Sequence, residues 1–283
     1  MTMTTRPLTL LCVHAHPDDE ALFTGGIEAL YSDRGVRQVL VTCTNGALGF
    51  DGQGRGSRHE GFDADPVVVN RGRELEASAK ILGIDRVVTL GYADSGMAGW
   101  PENSHPDAFV NQPRDEIVAR LVALIDEEQP EVVVTYDANG FYGHPDHITT
   151  HEVTLAAVEA SGIPAKLYTV AIAESALTGF VELAEHSGMD LPDWIAEGLI
   201  AGTPDAAVQT VIDCTSVVDR KHRALAAHAT QTDNADLVAM DDELFSAIFG
   251  TEMFVRVIDR TGSALPETDL FAGIADWGGP PGS

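Results

Sequence analysis

Two short stretches of the 283-residue sequence concentrate side chains that can bind a metal ion and move protons. The first, His14-Ala15-His16-Pro17-Asp18-Asp19-Glu20, holds two imidazoles and three carboxylates within seven residues. His14 and His16 stand at strand spacing, so one face of an extended chain can present both. His16 and Asp19 are three positions apart across a turn stiffened by Pro17, close enough to share one ion. A plainer reading makes the acidic pair a helix cap that complements the helix dipole. That accounts for one carboxylate, but not for two together with two histidines. The second stretch is His144-Pro145-Asp146-His147, followed by His151. On a helix these three histidines fall at i, i+3 and i+7, along one face. A lone histidine there reads as a packed or capping residue, whereas three on one face favour a metal. Carboxylate and imidazole donors without a thiolate suit Zn2+, or Fe2+ in the same geometry.

Each stretch follows a short apolar run and leads into an amphipathic one. Leu8–Val13, Gln38–Thr42, Arg86–Leu90 and Glu131–Thr135 are rich in Val and Leu and are predicted to be strands covered on both faces. Helical patterns separate them. Glu20–Arg34 stops at Gly35, Asn70–Leu82 stops at Gly83, and Arg114–Glu128 lines up Ile117, Leu121, Leu124 and Ile125 before Pro130. His147–Ala160 continues as a helix and Lys166–Ile172 as a strand. The last third is less regular, with helical patterns at Ser175–His186, Asp193–Leu199 and Thr215–Gln231 and a late strand at Phe254–Asp259. Alternation at a spacing of about 30 residues predicts right-handed βαβ units. The fold expected is therefore α/β: a Rossmann-like, mainly parallel sheet with helices on both faces, plus a less regular C-terminal α/β portion. With no internal repeat and no long linker, residues 1–277 are expected to form a single domain, and the Gly/Pro-rich 278–283 a disordered tail. Ligands bind such sheets at the carboxyl ends of the strands, where both motifs fall.

Composition narrows the chemistry. Forty-four Asp and Glu against seventeen Lys and Arg give a net charge of −27, which excludes non-specific nucleic-acid binding and disfavours anionic membranes. Cys12, Cys43 and Cys214 form no CxxC pair, so neither a disulfide framework nor a thiolate zinc site is available. The N-terminal apolar run is too short for a signal peptide, and no stretch reaches the length of a membrane span. A cytoplasmic location is expected. The run Gly46–Gly61 lacks the Gly-Lys-Ser/Thr end of a phosphate loop and reads as a mobile lid, with Arg55, Arg58 and His59 as candidate contacts. His105-Pro106-Asp107 repeats part of the second motif but is followed by Ala108. His147 and His151 have zincin spacing without its glutamate.

His16-Pro-Asp-Asp-Glu20 combined with His144-Pro-Asp-His147 resembles the signature of the LmbE-like (PIG-L type) metal-dependent N-deacetylases, which act on N-acetylglucosaminyl conjugates. Arg71-Gly-Arg73-Glu74-Leu75 and Gly91-Tyr92-Ala93-Asp94-Ser95-Gly96-Met97 extend the likeness. Asp94-Ser95-Gly96-Met97 and Asn139-Gly-Phe-Tyr-Gly-His-Pro-Asp-His147 resemble the mycothiol-biosynthesis deacetylases and their conjugate-amidase relatives within the family. The resemblance implies that His16, Asp19 and His147 hold Zn2+ (or Fe2+), with a position left for water and the substrate carbonyl. It implies Asp18 as general base, His144 as partner of the oxyanion or leaving amine, and Tyr142 as oxyanion helper or gate. Arg71 and Asp94 would contact sugar hydroxyls, while His14 and His151 would orient or pack beneath the site. The expected reaction is hydrolysis of the acetamide of a small N-acetylglucosaminyl substrate. The alternatives are an amidase acting on a glucosaminyl thiol conjugate, a non-haem iron oxygenase built on the same two histidines and one carboxylate, and a non-catalytic sugar-binding member of the fold.

Overall fold

Thr9–His14 forms β1 in the computed structural model, which describes residues 6–187, 195, 198–200 and 202–279, and all six residues of β1 are buried. Its side chains alternate, sending Leu10 and Cys12 into one hydrophobic layer and Leu11 and Val13 into the other. A strand covered on both faces requires this. The remaining strands are β2 (Arg37–Thr44), β3 (Arg86–Tyr92), β4 (Val132–Thr135), β5 (Lys166–Ala171), β6 (Thr210–Asp213) and β7 (Thr251–Asp259). They make one sheet in the order β3-β2-β1-β4-β5-β7-β6. β1 to β5 run parallel, and β7 pairs antiparallel with both β5 and β6.

The principal helices are α1 (Gly25–Asp33), α2 (Ala64–Leu82), α3 (Arg114–Glu128), α4 (Pro145–Ser161), α5 (Glu174–Ser187), α6 (Val218–Ala227) and α7 (Asp242–Phe249). Ile27 and Leu30 of α1, Leu75 and Leu82 of α2 and Leu225 of α6 pack with Leu10 and Cys12 on one face. Ile117, Leu121 and Leu124 of α3 and Val153 and Val158 of α4 pack with Leu11 and Val13 on the other. Helices thus cover both faces of a mainly parallel sheet, as the alternating pattern predicts. The sequence does not foretell β6 or α7.

Several boundaries differ for local reasons. The predicted Glu20–Arg34 helix begins as a single π turn, Glu20–Thr24, before α1. α2 starts at Ala64 rather than Asn70 because the Asp63 side chain accepts a cap hydrogen bond from Asp65 N at 3.2 Å. The predicted Thr215–Gln231 helix is regular only over α6, since His228 leaves helical geometry at φ −83°, ψ 53°. Most of the predicted Asp193–Leu199 helix, and residues 280–283 of the tail, lie outside the described residues.

The strand order explains where a site can form. β1 sits between β2 and β4, so the chain leaves β1 toward one neighbour and returns on its other side at β4. The loops after β1 and β4 therefore diverge above adjacent carboxyl ends and open a crevice. Those two loops are the two histidine-aspartate motifs.

Candidate active site

Ligand-type atoms of three residues converge in that crevice. His147 Nε2 lies 3.2 Å from His16 Nδ1. His16 Nδ1 is 3.4 Å from Asp19 Oδ2, and His147 Nε2 is 3.5 Å from Asp19 Oδ1. Tetrahedral bonds of 2.0–2.1 Å to one ion would set such atoms about 3.3 Å apart, so this donor set fits a divalent metal. His16, His144 and His147 form a second potential ligand group, and His16, Asp94, His144 and Asp146 a third, each with its atoms within 4.8 Å of one another. The hydrogen bonds favour the first triangle. His16 Nε2 is held by Asp146 Oδ2 at 3.2 Å, and the same oxygen accepts from Ser95 N at 2.9 Å. A carboxylate on the far nitrogen orients a ligating imidazole and leaves Nδ1 for the ion.

Asp19 is not a helix cap. It makes no side-chain cap bond at the start of the π turn. Oδ2 instead accepts from His16 N at 2.7 Å and from the Tyr136 hydroxyl at 2.6 Å. Tyr136, fully buried just after β4, in turn accepts from Ala15 N at 2.8 Å and lies flat on His147 at 4.1 Å between ring centres. Burial opposes charge on His16, but Asp94, Asp146 and Asp19 outweigh it and raise its pKa. Burial likewise opposes charge on Asp19, yet hydrogen bonding to and attraction by His16 hold its carboxyl well below the ordinary range. Burial pushes His147 down to about 3, leaving a neutral imidazole of the kind a metal requires.

Asp18 stands beside the triangle in a backbone conformation, φ +114°, that side-chain-bearing residues rarely adopt. Burial raises its pKa to about 7, with Arg71 opposing. Arg71 Nη2 donates to Asp18 Oδ1 at 2.8 Å and to the Pro17 carbonyl, and Nη1 donates to the Gly46 carbonyl at 2.9 Å. Arg71 lines the cavity, and protein acceptors take both of its terminal nitrogens, as a buried guanidinium needs. Room for it depends on Gly46 and Gly49, where an added Cβ would fall 2.6 Å from Nη1 in either case.

His144 lies just before α4 rather than on it. Its Nδ1 accepts the Asp146 N–H at 3.1 Å, so the ring's proton belongs on Nε2, and burial lowers its pKa to about 3. His144 and His147 still meet, with ring centres 5.0 Å apart, and His151 turns elsewhere. His144 caps the helix, and His151 Nδ1 turns to the Tyr136 carbonyl at 2.8 Å. His14 bonds Thr24 Oγ1 at 2.8 Å and packs edge-on to Tyr136 beneath the site.

His16, Asp18, Asp19, Arg71, Asp94, Tyr142 and His144 line one cavity of about 190 Å3. Burial pushes the Tyr142 phenol well above its usual pKa, so it remains protonated. Asp94 is fixed by Leu48 N at 3.2 Å and Gly96 N at 2.9 Å. Leu48, Gly49 and Phe50 bring the glycine-rich loop to the rim. Its charged residues do not follow: Arg55 Nε bonds Asp51 at 2.7 Å, Arg58 stacks on Trp100 at 4.2 Å, and His59 bonds the Glu60 carbonyl. Gln231, Asp233 and Asn234 complete the lining, Gln231 against Phe50 of that loop. The sequence pattern ends a helix at Gln231 and singles out neither Asp233, Asn234 nor Tyr136. A larger apolar cavity of about 390 Å3 shares Leu22 and Phe23 with this one but is not lined by His16, Asp19 or His147.

Known proteins share this arrangement of chain. A family model described as GlcNAc-PI de-N-acetylase (PIG-L) matches residues 11–158. A protein of Mycobacteroides abscessus named 1D-myo-inositol 2-acetamido-2-deoxy-alpha-D-glucopyranoside deacetylase is 43% identical over 285 residues, covering 96% of this chain and 99% of its own. One of the same name from Rhodococcus jostii is 41% identical over 291 residues, covering 94% and 98%. Among solved structures, N,N'-diacetylchitobiose deacetylase from Pyrococcus horikoshii superposes with a TM-score of 0.57 at 20% identity, over 89% of this chain and 84% of that one. At that identity it supports the fold alone.

Proposed function

The chain belongs to the GlcNAc-PI de-N-acetylase (PIG-L) family, and on that premise we propose that it hydrolyses the acetamide of 1D-myo-inositol 2-acetamido-2-deoxy-alpha-D-glucopyranoside, the compound in its relatives' names. The products are acetate and a free amine. The observation that carries the reading is the His16–Asp19–His147 triangle, of which His16 and Asp19 line the same cavity as Asp18 and His144. The relatives' names favour a deacetylase over a conjugate amidase, and give no support to an oxygenase or a non-catalytic binder.

In this reading His16, Asp19 and His147 hold a divalent ion, with Zn2+ first and Fe2+ second by donor type. The chemistry such an ion supplies when bound is Lewis acidity toward water and the amide carbonyl. Asp18 takes the proton of the attacking water, and a carboxylate tuned to about 7 is suited to accept it near neutral pH. Arg71 fixes Asp18 Oδ1, so the base does not rotate away. His144 offers its Nε2 proton to the charge developing on the carbonyl oxygen, and the Tyr142 hydroxyl is a second donor. Asp94 accepts from a sugar hydroxyl, and binding alone would not require Asp18 and His144. Residues 1–277 act as one catalytic unit. The setting is cytoplasmic, where buried free thiols at Cys12, Cys43 and Cys214 stay reduced.

Acetate release from a panel containing the inositol glycoside, free N-acetylglucosamine, diacetylchitobiose and a thiol conjugate tests the proposal. The inositol glycoside should lead, and chelation should stop it until Zn2+ or Fe2+ is returned. Full turnover by metal-stripped protein would overturn the mechanism, and preference for the thiol conjugate would overturn the substrate.

A further inference from the structure

Glu20 closes the first motif and points away from the cavity into a side-chain network that the reaction as described does not use. Its carboxylate is fully buried, which is costly unless every oxygen is satisfied. Oε2 accepts the backbone N–H of Asp18 at 2.9 Å. Oε1 accepts from Ser78 Oγ of α2 at 2.5 Å and faces His228 Nε2 at 2.7 Å. Both the Glu20 and His228 side chains are wholly inaccessible. His228 lies beyond the residues matched by the family model, where α6 leaves helical geometry.

We propose that His228 is a positioning residue for the Asp18 base, acting through Glu20. Three observations support it beyond proximity. First, His228 Nδ1 has no hydrogen-bond partner among the described residues, so its polar bonding is spent on Glu20. Second, Asp18 sits at φ +114°, a conformation that persists only when its surroundings hold it. Glu20 Oε2 on the Asp18 N–H pins that peptide from below, while Arg71 holds the carboxylate from the side. Third, the residues after His228 are anchored. Thr230 N and Oγ1 both bond Glu74 at 2.8 Å, and Gln231 bonds Phe50 N at 3.2 Å. The imidazole is therefore delivered to Glu20 on a strap fastened to α2 and to the glycine-rich loop. Without the His228 donor, Glu20 is free to turn, the Asp18 peptide loses its pin, and the base leaves its place. A displacement of about 1 Å is enough to cost about a hundredfold in rate.

This inference rests on the deacetylase reading, and its test separates the two. Metal-loaded His228→Ala, His228→Asn and His228→Gln proteins are compared with wild type for kcat and KM of acetate release, for metal content by elemental analysis, and by crystal structure. The Gln amide nitrogen falls where Nε2 stands, whereas that of Asn falls nearer Nδ1. Ala and Asn should lower kcat about tenfold to a hundredfold with KM and metal content unchanged, and Gln should recover most of the loss. A kcat within twofold of wild type in the Ala protein overturns the proposal. So does a Gln protein no better than Asn, or a loss of kcat matched by loss of metal. Should the Ala protein fail to fold, the contrast between Gln and Asn decides. Should wild type release no acetate from any glycoside, the deacetylase reading falls. The crystal structures then judge positioning by themselves: Asp18 displaced in the Ala or Asn protein supports it, and Asp18 unmoved overturns it.

Discussion

Tyr136→Phe removes one oxygen atom from a fully buried position and disturbs two partners at once. The hydroxyl donates to Asp19 Oδ2 at 2.6 Å and accepts from Ala15 N at 2.8 Å. Phenylalanine keeps the ring, and with it the stacking on His147. What changes is hydrogen bonding alone. An orphaned buried N–H costs about 1–3 kcal/mol, and a hydrogen bond to a charged acceptor contributes about 1.5–3 kcal/mol. Both terms belong to one hydroxyl and are not fully additive. A loss of about 3 kcal/mol is expected, which at this chain length lowers Tm by about 6 °C. Asp19 also loses the group that orients it, so metal affinity should fall about 10- to 100-fold. The assays are a melt of the metal-free protein and a Zn2+ titration against a chromophoric chelator. A variant that melts within 1 °C of wild type and binds Zn2+ within about threefold would refute the reasoning that Tyr136 organises the ligand triangle.

Asp18→Ala should lower kcat about 10²- to 10⁴-fold, the usual share of a general base, while metal stays bound. Loss of metal in that variant would make Asp18 a ligand instead. His16→Ala and His147→Ala should each reduce metal content measured by elemental analysis, and normal content in either would remove that residue from the ligand set. Lys166→Met breaks a wholly buried pair with Glu267, 2.5 Å apart, and should cost about 3 kcal/mol in urea unfolding without changing metal affinity; a cost under about 1 kcal/mol would make the pair dispensable. Burial opposes the Glu267 charge, but Lys166, Ser263 and Tyr168 outweigh it and hold its pKa below the ordinary 4.5. The native state therefore draws stability from Glu267 above that pH and loses it as pH falls below, so Lys166→Met should move acid unfolding to higher pH.

Much of the molecule is legible without coordinates because local physics specifies it. Val- and Leu-rich runs such as Val132–Thr135 can only be buried strands, and Arg114–Glu128 carries its stripe, its length and its stop in adjacent residues. The pairing of His16-Pro-Asp-Asp-Glu20 with His144-Pro-Asp-His147 is equally readable, since each motif is contiguous. Misreadings arise where geometry depends on a partner far along the chain. Treating His144, His147 and His151 as one helical face presumes that the helix begins at His144. In fact His144 caps it with its own ring. Nor does spacing foretell that Asp18, Pro17 and Gly46 hold the guanidinium of Arg71.

The sequence by itself determines the α/β alternation, the family, and the two donor clusters at one sheet edge. Only the tertiary structure decides which nitrogen of His16 is left toward Asp19 and His147, because Asp146, 130 residues away, occupies the other. It alone sets Tyr136 on Asp19 across 117 residues and His228 on Glu20 across 208. Hydrogen-bond direction and burial are properties of neighbours in space. Spacing along the chain encodes those neighbours only when they share a helix, a strand or a turn.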